Sequence, residues 1–339
     1  MTHPNRIFIT GATGFVGATL VRHFAAQGWE VTASGRTAPP APLLAVAKYV
    51  QADIQKPLPR QEADVVVHAA ALASDSVGMA ALKKTNLDGT RHVFEAARNC
   101  PCFVYISSSS VYDARKTLHE EDESVDCQKL SPYGLSKRMA EDWLLEQDWG
   151  HRSLYVLRPR AVYGVGDRVL LPRLMRLVRW GHILSPGEMR VSSSLTHVEN
   201  LCAAVECCAL SQLPESSKLS GSSIFNVADA QPYEMREVVH RLLSEIHGQE
   251  LAFRAIPMLP LRWMANALES LQMAKQFTPY ALATVAKDSV LDIQKISRTL
   301  GYLPKRNFWE TLPEIASWAN AVGLYRVQQA NADLPWMKF

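Results

Sequence analysis

The run Ile7-Phe8-Ile9-Thr10 ends directly in Gly11-Ala12-Thr13-Gly14-Phe15-Val16-Gly17, and no other feature of the chain restricts its fold as much. The spacing is G-x-x-G-x-x-G, a variant of the dinucleotide fingerprint. Gly11 permits the tight turn out of a strand, Gly14 lets backbone approach a pyrophosphate, and Gly17 lets the next helix close on the strand. That helix is expected over 15–27, with Gly28 as its stop. Its free N–H groups and positive dipole end suit bound phosphate. Three glycines alone also make a tight turn without a ligand; the strand before and the helix after favour the cofactor.

The pattern that follows is strand, helix, strand. Strands are expected at 7–10, 30–33, 49–52, 65–68 and 103–107, with a further helical pattern over 79–98. Such alternation makes a parallel sheet with helices on both faces. Val65-Val66-Val67 and Val104-Tyr105-Ile106 are continuous apolar runs, as strands buried on both faces require. Pro39, Pro40 and Pro42 make the crossover over 37–48 short or irregular. Beyond Arg158 helical patterns dominate, at 169–180, 199–210, 235–246, 261–274 and 308–320, with one late strand at 224–227 able to return to the sheet. The expected fold is α/β: a Rossmann doubly wound parallel sheet with a smaller, mostly helical C-terminal substrate domain. Residues 1–163 would form the dinucleotide-binding domain, with a returning segment near 196–230, and 164–339 mainly a substrate-binding cap.

Length and composition agree. A chain of 339 residues suits about two domains. Its 36 Lys and Arg against 33 Asp and Glu leave a net charge of +3, without the strong basic excess of a nucleic-acid binder. No run of 18 apolar residues exists, so no membrane span is expected. No signal-peptide pattern precedes the first strand, which points to the cytoplasm. The six cysteines include no C-x-x-C pair and no zinc-site spacing, so they are read as free thiols and no metal is expected.

Two features bear on chemistry. Sites for NAD place Asp or Glu at the end of the second strand, against the ribose 2′-hydroxyl. Here that position reads Ala33-Ser34-Gly35-Arg36-Thr37, with no carboxylate. The planar fork of Arg36 suits a 2′-phosphate, with a hydroxyl from Ser34 or Thr37, so NADP is expected ahead of NAD. Arg36 stacked on adenine would be compatible with either. Asp53 is placed to meet the adenine amino group or simply to cap a turn. The second feature is Tyr133-Gly134-Leu135-Ser136-Lys137, preceded by Pro132 at a first helical position. Tyr133 and Lys137 share a helix face. A cation there favours phenolate and makes the tyrosine usable as a general acid and base. Ser107-Ser108-Ser109-Ser110 leaves the fifth strand at the sheet's C-terminal edge, where a hydroxyl can hold a substrate oxygen.

These matches resemble the extended short-chain dehydrogenases/reductases, the NAD-dependent epimerase/dehydratase family, including its 3β-hydroxysteroid dehydrogenase-like branch. They are Gly11 to Gly17, His68-Ala69-Ala70-Ala71, Thr85-Asn86-Leu87-Asp88-Gly89-Thr90, Ser107 to Tyr112 and Tyr133 to Lys137. Leu157-Arg158-Pro159-Arg160-Ala161-Val162-Tyr163-Gly164, Thr196-His197-Val198-Glu199-Asn200 and Leu300-Gly301-Tyr302-Leu303-Pro304 follow in order. The resemblance implies Tyr133 as acid/base, Lys137 on the nicotinamide ribose, and Ser108 as the catalytic serine, ahead of Ser107 and Ser109. Beside Arg36 and Asp53, read above from the residues themselves, the cofactor contacts are expected at Gly11, Thr13, Gly14, Phe15, Val16, Gly17, Ile54, Ala69, Ala70, Ala71, Asn86, Ser107, Tyr133, Lys137, Pro159 and Val162. His197 is implied to be structural. Arg36 departs from the acidic residue of NAD-bound sugar epimerases. The expected activity is NADP(H)-dependent interconversion of a secondary alcohol and a ketone of a small molecule. The alternatives are a nucleotide-sugar epimerase or dehydratase, with Arg160, Arg168, Arg173, Arg176 and Arg190 as phosphate contacts, and a cofactor-binding regulator. A homodimer is expected on the resemblance alone.

Overall fold

Seven strands form the main sheet: β1 (Arg6–Thr10), β2 (Glu30–Gly35), β3 (Lys48–Gln51), β4 (Val65–His68), β5 (Cys102–Ile106), β6 (Ser153–Pro159) and β7 (Gly221–Val227). The computed structural model describes residues 5–74, 77–122, 125–211, 221–270, 282 and 286–323. All pairs are parallel and the order is β7-β6-β5-β4-β1-β2-β3. The chain therefore reverses its direction of travel between β1 and β4, which opens a crevice at their C-terminal ends.

Alternation along the strands divides two cores. Ile7, Ile9, Val31, Val65, Val67, Val104 and Leu157 face one side, beneath α1 (Phe15–Ala26) and the later helix Val198–Leu210. Phe8, Val66, Phe103, Tyr105, Leu154 and Val156 face the other, beneath Gly89–Ala96 and α2 (Pro132–Leu145). Both faces are covered, which is why these strands read as unbroken apolar runs. At the C-terminal edge of the second face the side chains turn polar, with Ser34, Thr10, His68, Ser107, Arg158 and Asn226 all buried there. The proline-rich crossover is a single turn, Ala41–Leu44.

The expected helix over 79–98 is broken: Met79–Leu82 and Gly89–Ala96 flank a π-helical Lys83–Asp88. Ser153–Pro159 adds a sheet strand that periodicity alone did not single out.

A third core lies beside the sheet, built by Met235–His247 against Phe308–Ala321 and including Leu242, Leu243, Phe308, Ile315 and Trp318. The helix expected over 169–180 is shorter, Leu170–Met175, and gives way to a hairpin of Val178–Arg179 with His182–Pro186. Trp180 (φ 51°) and Gly181 (φ 72°) are both left-handed there, as a two-residue hairpin turn demands. His182–Pro186 then pairs with Ala252–Ile256, so this part carries a small sheet as well as helices. The helix expected over 261–274 is Met258–Ser270, and residues 271–274 lie outside the described ones. No described helix is long and apolar enough to cross a membrane.

Candidate active site

The glycine turn is built by close approach. Gly11 has φ 75°, and a Cβ on it would meet the backbone of Ala70 at 2.9 Å. A Cβ on Gly17 would fall 2.2 Å from the Gly11 carbonyl oxygen, so only glycine lets α1 start this near β1. Gly14, at the N-cap of α1, has no side chain to cap it, which opens the helix's first turn to a ligand. Thr13, Phe15 and Val16 are half-buried around this opening.

Below it, His68 organises the Ala69-Ala70-Ala71 loop. Thr90 donates its hydroxyl to the Asn86 carbonyl (2.6 Å), so its oxygen accepts from His68 Nε2 (3.1 Å). His68 Nδ1 then accepts from Thr10 Oγ1 (2.8 Å), which in turn accepts from the Ala70 N–H (3.2 Å). This chain uses the neutral ring, and burial pushes the His68 pKa down to about 3, with the Lys137 charge as second cause. Asn86 completes the support. Its Oδ1 accepts from the Leu72 N–H (2.8 Å), and its Nδ2 donates to the Leu72 carbonyl (3.2 Å) and to Ser136 Oγ (2.8 Å). Both of its amide protons are thus spent on protein, and Asn86 ties the loop to α2.

At the end of β2 a Cβ on Gly35 would lie 2.7 Å from Tyr49 Oη and 3.0 Å from Thr13 Oγ1, so no carboxylate can stand at that position unless Tyr49 moves. Arg36 and Thr37 follow, both exposed, held through their carbonyls by Gln51 Nε2 (3.1 Å) and Tyr49 Oη (2.6 Å). Asp53 is half-buried and accepts from the Gln55 N–H (3.0 Å), the turn-capping role, while Ile54 is buried against Gly89.

Helix α2 begins at Pro132, with Ser131 Oγ accepting from the Gly134 N–H (3.1 Å). A Cβ on Gly134 would sit 2.0 Å from the Ser110 carbonyl oxygen. That glycine, which sequence reading passed over inside Y-x-x-x-K, is what lets α2 reach the serine turn. Tyr133 is half-buried. Lys137 is 1% exposed. Its Nζ donates to the Ile106 carbonyl (2.7 Å) and lies 4.1 Å from the centre of the Tyr105 ring. Burial lowers its pKa to about 7, although the Glu141 charge acts in the opposite direction. Glu141 itself is engaged with Arg158, two hydrogen bonds of 3.0 and 2.6 Å between fully buried groups. Arg158 also donates to Tyr112 Oη (3.0 Å), whose hydroxyl donates to Asn226 Oδ1 (2.7 Å). This pair braces α2 against β6 and β7, and its spacing in sequence gives no sign of it.

Of the serines, Ser108 is half-buried; its Oγ accepts from the Ser110 N–H and donates to Ser110 Oγ, each at 3.1 Å. Ser109 is buried. The Oγ atoms of Ser107 and Ser34 are buried and have no hydrogen-bond partner among the described residues. Orphaned hydroxyls at the C-terminal ends of β5 and β2 fit a ligand laid along this edge. Pro159 closes β6, and Val162 pairs with Thr196 beyond it; between them Ala161 is left-handed (φ 44°), an unusual conformation for alanine.

The five arginines separate. Arg160 Nε donates to Ser193 Oγ (3.0 Å), Arg168 Nη1 reaches the Thr13 carbonyl (3.4 Å), and Arg173, Arg176 and Arg190 are exposed. His197 caps Val198–Leu210 by accepting from the Glu199 N–H (3.3 Å), a structural place. Its own N–H goes to Asp229, which also accepts from Asn200, Tyr163 and Tyr233 at 2.7 to 2.9 Å.

The sequence model of the NAD dependent epimerase/dehydratase family matches residues 7–228. The chain is 28% identical over 321 residues to a 4-hydroxy-2-methyl-3-oxo-4-farnesyl-3,4-dihydroquinoline-1-oxide ketoreductase of Stigmatella aurantiaca, covering 88% of this chain and 91% of that one. It is 26% identical over 335 residues to a 3 beta-hydroxysteroid dehydrogenase/Delta 5-->4-isomerase of Mycobacterium tuberculosis, covering 92% and 90%. Its fold is similar to that of the UDP-glucuronic acid 4-epimerase of Bacillus cereus in complex with NAD, with a TM-score of 0.71 at 20% identity over 95% of this chain and all of that one. With a glycine turn, a uniformly parallel sheet and a family match over some two-thirds of its length, the chain belongs to the NAD-dependent epimerase/dehydratase family and is an NAD(P)-dependent enzyme.

Proposed function

We propose that the chain is an NADP(H)-dependent oxidoreductase interconverting a secondary alcohol and a ketone. The observation that carries this reading is Lys137: buried, fixed by the Ile106 carbonyl and one helical turn from Tyr133. An ammonium that burial disfavours is relieved by an anion beside it, so Lys137 favours the Tyr133 phenolate. When bound, the nicotinamide supplies or accepts a hydride at the carbinol carbon. Tyr133 moves the proton between its phenol oxygen and the substrate oxygen, Ser108 holds that oxygen, and Lys137 keeps the proton mobile and holds the ribose. The glycine turn takes the pyrophosphate, and exposed Arg36, which follows Gly35 at a β2 end without a carboxylate, takes the 2′-phosphate. Residues from 164 onward, apart from the segment near 196–230 that returns to the sheet, mainly form the substrate-binding part. The enzyme acts on a small molecule in the cytoplasm, as a homodimer.

The names of the Stigmatella ketoreductase and the mycobacterial hydroxysteroid dehydrogenase support alcohol–ketone chemistry. A nucleotide-sugar epimerase or dehydratase is the second reading, favoured by the similarity of fold to the Bacillus enzyme. Three of the arginines it would use for phosphate are exposed, and Arg168 is turned to the glycine turn. A regulator without turnover has less in its favour, because the Ser, Tyr and Lys set is intact.

The test is titration of NADPH and NADH into wild type and Arg36→Ala, with turnover of Tyr133→Phe on a panel of apolar ketones. Tighter NADPH binding that Arg36→Ala erases, and a Tyr133→Phe protein that binds cofactor but does not turn over, are expected. A Tyr133→Phe protein with full turnover would sink the mechanism. NAD that copurifies and will not dissociate would favour the epimerase reading.

A further inference from the structure

Arg168 belongs to the loop that opens the C-terminal part of the chain, yet its side chain crosses back to the glycine turn. Its Nη1 donates to the Thr13 carbonyl over 3.4 Å. For an N–H···O bond that is long, and the Thr13 carbonyl is a neutral acceptor. The backbone around it is held firmly. Gly164 (φ 140°) and Gly166 (φ 95°) adopt conformations that suit glycine. The buried Asp167 carboxylate accepts from the N–H groups of Val169 (2.7 Å), Leu170 (3.0 Å) and Leu171 (2.7 Å). This bracket sets the start of Leu170–Met175 and, with it, where Arg168 emerges. A guanidinium is thus delivered to Thr13, between Gly11 and Gly14, where the uncapped N-terminus of α1 opens.

We propose that Arg168 is a ligand of the cofactor's pyrophosphate, reached from the C-terminal part of the chain. The inference rests on the reading that the glycine turn binds a dinucleotide. A phosphate oxygen offers a charged acceptor to a donor already at the turn, and charge-assisted contacts are shorter and stronger than one to a carbonyl. Arg168 then acts on the pyrophosphate of NADPH and NADH alike, whereas Arg36 acts on the 2′-phosphate alone. Because Arg168 follows directly on the Asp167 bracket, cofactor binding fastens the start of the C-terminal part to the glycine turn.

The experiment titrates the full chain, wild type, Arg168→Gln, Arg168→Lys and Arg36→Ala, with NADPH, NADH, ADP-ribose and adenosine 2′-monophosphate. ADP-ribose carries the pyrophosphate without the 2′-phosphate; adenosine 2′-monophosphate carries the reverse. Arg168→Gln is expected to weaken NADPH, NADH and ADP-ribose about tenfold each, the size of one lost charged hydrogen bond. It leaves adenosine 2′-monophosphate unchanged, and Arg168→Lys recovers part of the loss. Arg36→Ala instead weakens NADPH and adenosine 2′-monophosphate and leaves NADH and ADP-ribose unchanged. In the wild type, ADP-ribose also slows hydrogen exchange at the amides of Val169, Leu170 and Leu171, and in Arg168→Gln it does not. The proposal is overturned if Arg168→Gln binds ADP-ribose within twofold of wild type, or weakens adenosine 2′-monophosphate equally. It is overturned together with the cofactor reading if wild type binds no dinucleotide. If wild type prefers NADH while Arg168→Gln still weakens both, the pyrophosphate role stands and only the NADP preference falls.

Discussion

Replacing Gly134 by alanine tests whether the approach of α2 to the serine turn makes the site. The added methyl would fall 2.0 Å from the Ser110 carbonyl oxygen, where ordinary contact begins near 3.4 Å. Relief takes about 1.4 Å of separation between α2 and the turn. The obstacle is backbone, so no rotamer change supplies it. Overpacking of this kind costs about 1–3 kcal/mol. At about 2.1 cal/mol/K per residue over 339 residues, the unfolding entropy is roughly 0.7 kcal/mol/K, so Tm should fall by about 1.5–4 °C. The effect on catalysis is larger. Tyr133 and Lys137 ride on α2, Ser108 on the turn, and a misplacement of about 1 Å can cost about 100-fold in rate. Cofactor affinity changes much less, because Gly11 and Gly14 lie in the turn between β1 and α1 and Gly17 in the first turns of α1, away from α2. The assay is kcat and NADPH affinity side by side, with a calorimetric Tm. A variant with wild-type kcat and Tm would refute the reasoning, and one losing Tm and NADPH affinity while keeping kcat would show that the turn does not position the chemistry.

Three further outcomes follow from the same geometry. Lys137 titrates near 7 in the fold against 10.5 for an ordinary lysine, so the unfolded chain binds the extra proton between those values. Stability to denaturant should therefore rise with pH from about 7 toward 10.5 and be indifferent to this group below 7, and Lys137→Met should lose that rise; parallel pH curves would contradict it. Asp229→Ala leaves Tyr163, Tyr233 and Asn200 without their shared buried acceptor, so a loss of about 3 kcal/mol or more is expected in urea unfolding, and a change below about 1 kcal/mol would show that the network is dispensable. Cys127 is exposed and should react at once with a thiol reagent, while buried Cys102, Cys202 and Cys208, whose pKa values burial pushes far up, react only on unfolding; rapid titration of more than two thiols in the native protein would contradict that.

Much of the sheet was legible because parallel strands buried on both faces write continuous apolar runs, as Val65 to Val67 and Val104 to Ile106 do. The helix expected over 169–180 was not, because a left-handed Trp180-Gly181 turn outweighs a helical spacing of leucines and arginines. Tyr133 and Lys137 could be named from i, i+4 spacing, a local property of one helix. Gly134, Asn86, His68 and the Glu141–Arg158 pair could not be given their roles, since each depends on a partner from another element.

By itself the sequence determined the local facts: a strand ending in glycines, a helix with a tyrosine above a lysine, a serine turn, and no carboxylate at the end of β2. Each is decided within a few residues by steric freedom, helical period or charge. Only the tertiary structure decided that Lys137 is buried and driven toward neutrality, that Asn86 joins the loop after β4 to α2, and that Arg168 turns toward Thr13. Burial and hydrogen-bond partners are set by segments that meet only after folding, and no spacing along the chain encodes the distance between them.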